Sequence, residues 1–257
     1  NVGRVMSPTL ALLVKREAEI SSFESKPFYV PEIACGGFTA SGEKTDDKTA
    51  AEAVQKACDG QNARVKSVEK QTKAMQPQKL YDLTTLQREA NRLYGYTAQQ
   101  TLDYLQSLYE KKMATYPRTD SQYLTEDMRG TANDLVTWLC GNMPFGKAHT
   151  GETDLKRVTD NAKVTDHHAI IPTMQITRTD LSALPAGERD ILMLIAARLL
   201  CATAQAHQFE AVKAVLFCAG HDFTAKGKTV LEAGWKEIES LFKSGLRQKE
   251  EKDDEDA

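Results

Sequence analysis

The sequence predicts an α+β fold in which a helical domain interrupts a β-containing domain. Segments with strand-like patterning lie towards both ends, at 28–75 and 208–235. Between them, from 82 to 205, apolar residues recur at helical spacing. An insertion leaves and rejoins its host at neighbouring points, so the two connections are expected close together. The 257 residues suffice for one large domain or two modest ones.

The elements follow in order. Residues 8–20, PTLALLVKREAEI, read as a helix. Pro8 suits a first turn, Ser7 is a candidate N-cap, and Leu10, Leu13, Val14 and Ala18 share one face. Residues 28–40 read as a strand and a Gly-rich turn. In 46–58 a helix is expected with Ala50, Val54 and Ala57 on its apolar face. Residues 63–75 read as a strand that Gln76-Pro77-Gln78 breaks.

Asp82 or Thr84 is placed to cap a helix through LQREANRLYG, which Gly95 ends. Thr97 and Gln100 have capping-box spacing and open a second helix with a stripe of Leu102, Leu105 and Tyr109. Two capped helices joined by Gly95-Tyr96-Thr97 resemble a helix-turn-helix. Asp120 or Ser121 is a candidate cap for a further helix, and 130–145 reads as a helix ending at Gly141. Residues 146–164 are polar and read as loop with short helix. Residues 186–205 are apolar around most of a helical circumference, which predicts deep burial. Residues 208–218 and 222–231 read as two strands joined at Gly220, and the acidic run from Glu250 as linker.

Composition narrows the function. No run approaches the ~18 apolar residues a membrane span needs. The chain opens NVGRVMSPTL, without a basic-then-apolar leader, and reads as an internal piece of a longer protein. Five cysteines at wide spacings, with no CxxC pair, predict reduced cytosolic thiols rather than a zinc site or disulfide framework. Cys201 and Cys218 are expected in the core. The net charge of −3 hides its distribution. The last eight residues carry −5, whereas residues 61–120 carry +4, so a polyanion partner is compatible with the acidic total.

The chemistry sits in ATYPRTDS. A tyrosine hydroxyl has an ordinary pKa of ~10 and is a poor nucleophile near neutrality. A guanidinium beside it favours the phenolate and neutralises a phosphate oxygen. Tyr116 precedes Pro117 and is biased to extended backbone, where Tyr116 and Arg118 share a side. That pair suits attack on a phosphodiester.

KLYDLTTLQREANRLYGYTAQQTLDYLQSLYEKKMATYPRTDS resembles the active-tyrosine region of type IA DNA topoisomerases. The opening GRVMSPTL is similar to that family's GRVQ-S/T-PTL helix, and KVTDHHAIIPT to the segment that brings a histidine back to the site, in a form closest to the topoisomerase III branch. The resemblance implies that Tyr116 is the nucleophile for the 5′ phosphate of a cut single strand, that Arg118 contacts the scissile phosphate, and that His167 lies near both, while His168 is structural. It implies that Arg4 lines a single-strand DNA groove and that Gln87 is a DNA-contact candidate; Met6 stands where the family has Gln and removes one amide contact.

The domains so implied are a helix stub of the DNA-groove domain at 1–25, a discontinuous β-rich arch domain at 26–81 and 206–245, a helical domain with the active tyrosine at 82–205, and an acidic tail at 246–257. Mg2+ would serve the full enzyme from an acidic cluster in an N-terminal metal-binding domain preceding Asn1, with no metal held by this chain. The expected partners are single-stranded DNA and that missing domain. The expected state is a monomer in the cytoplasm, associated with the nucleoid and away from any membrane, and unable to cleave efficiently alone. Two rival readings stand beside this one. A noncatalytic helix-turn-helix-like module at 84–110 would bind duplex DNA regardless of Tyr116→Phe. A structural gate segment would bind DNA weakly, in a salt-sensitive way, and form no adduct.

Overall fold

A computed structural model describes the backbone of residues 3–255 and the side chains through residue 246. The chain divides into two compact units, residues 1–71 with 211–227 and residues 72–210 with 228–257. The fold is mixed α+β.

The first unit opens with α1 (Met6–Ser21). Its N-cap is Val5, with no side-chain cap, so Ser7 lies inside the first turn and does not serve as the cap the sequence suggested. No residue of α1 is buried. β1 (Glu32–Ala34) and β2 (Thr39–Ser41) form a short antiparallel hairpin pairing Glu32 with Ser41 and Ala34 with Thr39. Gly36 and Gly37 sit at positive φ in its turn, where L side chains are strained.

Asp47 caps α2 (Lys48–Cys58) by accepting from the Thr49 and Ala50 amides. The buried stripe of α2 is Ala51 and Cys58 with Val54 half-buried, one residue round from the expected Ala50 and Ala57. The sheet, and not the helix's own composition, decides which flank faces inward. Ala40, Cys58, Leu216, Cys218 and Phe223 make the core of this unit.

Three long strands complete the sheet: β3 (Arg64–Met75), β4 (His207–Cys218) and β5 (His221–Glu232). The strand order is β1-β2-β5-β4-β3. The chain therefore leaves the sheet on β3 and returns on its neighbour β4, as an inserted block requires. The far ends of these strands are counted with the second unit.

That second unit is mostly helical. α3 (Leu83–Tyr94) is capped by Asp82 in a reciprocal box with Thr85, and α4 (Ala98–Glu110) by Thr97 with Gln100. Gly95 exits α3 at φ 70°, a left-handed turn that glycine adopts without strain. α5 (Arg129–Asn142) follows, then α6 (Ala186–Thr203). α6 buries Ile191, Leu192, Leu194, Ile195, Leu199 and Leu200. Each contributes about 1.5–3 kcal/mol over an exposed position.

α7 (Trp235–Glu255) has no counterpart in the sequence reading, which assigned 206–245 to β structure and treated the acidic run as linker. Trp235, Ile238 and Phe242 recur at helical spacing and enter the main core, and the Trp235 indole donates to the Met75 carbonyl at 2.9 Å. The backbone of the acidic tail is helical to Glu255; its side chains and last two residues lie outside the described residues. All five cysteines are free, and Cys201 and Cys218 are buried as expected. Among the described residues no helix is long and apolar enough to cross a membrane.

Candidate active site

The end of α4 sets the geometry. Lys112 adopts φ 60°, and the Met113 amide turns back to the Leu108 carbonyl at 2.8 Å. This closes the helix and sends the chain out extended towards Tyr116. Leu105 and Leu108 hold that helix in the core, which leaves the flank bearing Gln106 and Tyr109 facing outward. Tyr109 is 40% exposed and is not part of the buried stripe the sequence assigned it to; Thr101 and Leu108 fill that stripe with Leu105.

Residues 113–123 run beside residues 167–173. The Thr115 amide donates to the Ile171 carbonyl at 3.0 Å, and its hydroxyl donates to the Ala169 carbonyl at 3.0 Å. The same hydroxyl accepts from the Ile171 amide. The Thr119 hydroxyl donates to the His167 carbonyl at 3.0 Å. Ser121 is buried and its hydroxyl donates to the Lys163 carbonyl at 2.8 Å. Residues 120–125 are not helical, and neither Asp120 nor Ser121 caps a helix; the next helical turn begins at Glu126. A polar residue is a cap only if helix follows, and here a second chain segment claims these groups first.

This lattice brings Tyr116 and His167 together across 51 positions of sequence. Their rings lie 4.1 Å apart between centroids, tilted by 34°. Tyr116 also meets Tyr109 in a T-shaped pair, 5.5 Å between centroids and 83° between planes. Arg118 is exposed, and its guanidinium reaches Gln106 Oε1 at 3.5 Å. His168, next in sequence, turns its Nδ1 to the Ala169 carbonyl at 2.9 Å, a backbone tie. A phenol and an imidazole thus meet at an accessible point, with an exposed guanidinium two residues on in the chain. They can accept an anionic ester and offer it an oxygen nucleophile.

The remaining candidates have other surroundings. Gln87 donates from its amide to the Ala98 carbonyl at 3.0 Å, which ties α3 to the start of α4. Arg4 is exposed in the turn before α1 and belongs to the other unit. Among the described residues no three His, Cys, Asp or Glu side chains converge to hold a metal ion. Sequence reasoning missed Tyr109, Gln106, Thr115 and Thr119. Their signal was the spacing: Gln106 and Tyr109 are three apart at the C-terminal turn of a helix that ends just before Tyr116.

A family model described as DNA topoisomerase matches residues 1–256. DNA topoisomerase 3 of Staphylococcus saprophyticus is 38% identical over 246 residues, covering 93% of this chain and 34% of that protein. DNA topoisomerase 3 of Bacillus subtilis is 36% identical over 264 residues, covering 98% of this chain and 36% of that protein. The chain thus spans about a third of the length of the curated relatives it matches. Among solved structures, full-length topoisomerase I from Thermotoga maritima superposes with a TM-score of 0.71 at 25% identity, covering 92% of this chain and 40% of that one.

Proposed function

The chain belongs to the type IA DNA topoisomerase family, in its topoisomerase III branch, and from that premise we propose that it carries the nucleophilic part of a single-strand DNA cleavage and religation site. The observation that carries this reading is the seating of Tyr116 against His167, 4.1 Å ring to ring, with Arg118 two residues on.

Tyr116 is the nucleophile. Its phenolic proton leaves, its oxygen bonds to the scissile phosphorus, and the 3′ oxygen of the neighbouring nucleotide departs and takes up a proton. One phosphodiester becomes one 5′-phosphotyrosine ester of similar energy, so resealing is the same step reversed and needs no ATP. Arg118 and, when protonated, His167 offset charge on the nonbridging oxygens. Arg4 and Gln87 are DNA contacts. Strand passage through the opened break relaxes negative supercoils or unlinks catenated DNA.

Magnesium, a separate metal-binding domain and the monomeric, nucleoid-associated state belong to this proposal at the scale of the longer relatives. The segment alone is expected to cleave poorly.

The test joins this chain to the portions that Bacillus subtilis DNA topoisomerase 3 carries beyond the match. With magnesium and an end-labelled single-stranded oligonucleotide, a denaturing gel should show protein attached to the 5′ side of the break. Tyr116→Phe should remove the adduct and keep single-strand binding. An adduct that survives Tyr116→Phe assigns the nucleophile elsewhere and defeats the reading.

A further inference from the structure

We infer that Tyr109 is a positioning residue: its ring holds the Tyr116 phenol against the His167 imidazole, so that the hydroxyl is presented in one direction before DNA arrives. The inference rests on the reading of Tyr116 as nucleophile.

Three observations carry it. Tyr116 has two aromatic neighbours, His167 at 4.1 Å and Tyr109 at 5.5 Å with planes at 83°. An edge-to-face pair of that geometry is attractive beyond its buried area. Second, Tyr109 sits on a helix packed into the core. α4 is anchored through Thr101, Leu105 and Leu108, and its last turn is closed by the Met113 amide on Leu108. Tyr116 itself lies outside any helix or strand, just before a bend at Pro117 and Arg118. Third, Tyr109 is 40% exposed, yet its ring is turned onto Tyr116. A ring left half in water at the end of a helix, turned onto the nucleophile, acts on the nucleophile.

The physical effect is a smaller set of directions for the hydroxyl. A nucleophile already aimed spends less of the reaction barrier on orientation. The ring, not the Tyr109 hydroxyl, makes this contact, so phenylalanine should serve in its place.

The experiment uses the same joined protein with Tyr109→Ala and Tyr109→Phe. Single-turnover cleavage by Tyr109→Ala should fall about 3- to 10-fold, the span an aromatic pair's contribution converts to, with oligonucleotide affinity unchanged. Tyr109→Phe should restore the rate. In NMR of the chain itself, the cross-peak between the Tyr116 and His167 rings should weaken in Tyr109→Ala and persist in Tyr109→Phe. Wild-type cleavage and an intact cross-peak in Tyr109→Ala would overturn the inference, as would Tyr109→Phe behaving like alanine. Failure of the unsubstituted protein to form any adduct falls on the nucleophile reading itself, and takes the positioning role with it.

Discussion

Two threonine hydroxyls show how much of the site is made by residues with no chemistry of their own. Thr115 and Thr119 bracket Tyr116 and bond to the carbonyls of Ala169 and His167. They fix where the imidazole-bearing segment runs, and the motif reading could name His167 but not the means of bringing it back. The titration of His149 offers a separate test of packing in the helical unit. Burial holds its pKa below the usual histidine value of 6.5, and its Nε2 faces the Thr203 hydroxyl at 3.4 Å. A depressed histidine pKa means the unfolded chain binds more protons than the folded one as pH falls below that value. Stability should therefore drop from pH 7.5 to pH 5.5, in the window above carboxylate titration. The groups Asp160 and Asp180, whose pKa values lie below the usual carboxylate value through bonds to Lys163 and Ser182 first, lose their contribution only in more acidic solution. Urea midpoints at the two pH values measure the drop, and His149→Gln should flatten it. An unchanged pH slope in that variant would mean that His149 is as hydrated folded as unfolded.

At the level of elements, the packing of α6 on α4 depends on Gly187. A Cβ there would collide with the Tyr104 ring. That ring cannot swing freely, because it packs edge-on against Tyr96 at 5.2 Å, and the Tyr96 hydroxyl donates to Asp190 at 2.7 Å. Alanine in a helix would ordinarily gain about 1 kcal/mol over glycine. Here overpacking costs about 1–3 kcal/mol, so Gly187→Ala should destabilise the chain despite its higher helix propensity. Tyr104→Ala should relieve the clash, and denaturant unfolding of the double variant should show non-additivity. A stabilised Gly187→Ala would show that the two helices stand further apart. Gly187 was invisible in the sequence, where it reads as an ordinary first-turn residue. The caps were legible, because Thr97–Gln100 and Gly95 act through their immediate neighbours. The inward face of α2 and the existence of α7 were not. Both depend on which apolar surface meets the helix. Trp235, Ile238 and Phe242 carry the right spacing, but the charged run after them and the lack of a polar cap masked it.

For the whole molecule, the motif order forecast the family and the type of fold, because an insertion flanked by strands leaves its mark on patterning alone. Patterning also forecast an apolar face on α1, and the structure leaves that face bare: Leu10, Leu13 and Val14 are 61%, 63% and 60% exposed. The consequence is an uneven distribution of stability. A helix of 16 residues that buries nothing has only its own hydrogen bonds to hold it. Isolated helices of that length are marginal in water. α6 is the opposite case, with 14 buried residues in the helical core. Opening it exposes that core, so its amides should report global unfolding, whereas those of α1 should exchange through local fraying. Hydrogen–deuterium exchange of this chain should therefore label α1 near the rate of unstructured peptide and leave the middle of α6 protected by orders of magnitude. In the protein joined to the portions from Bacillus subtilis DNA topoisomerase 3, slowed exchange confined to α1 would identify the covering surface as one those portions supply. Strong protection of α1 in the isolated chain would instead mean that its leucine face is covered in solution by a second copy, and protein concentration would then set the exchange rate.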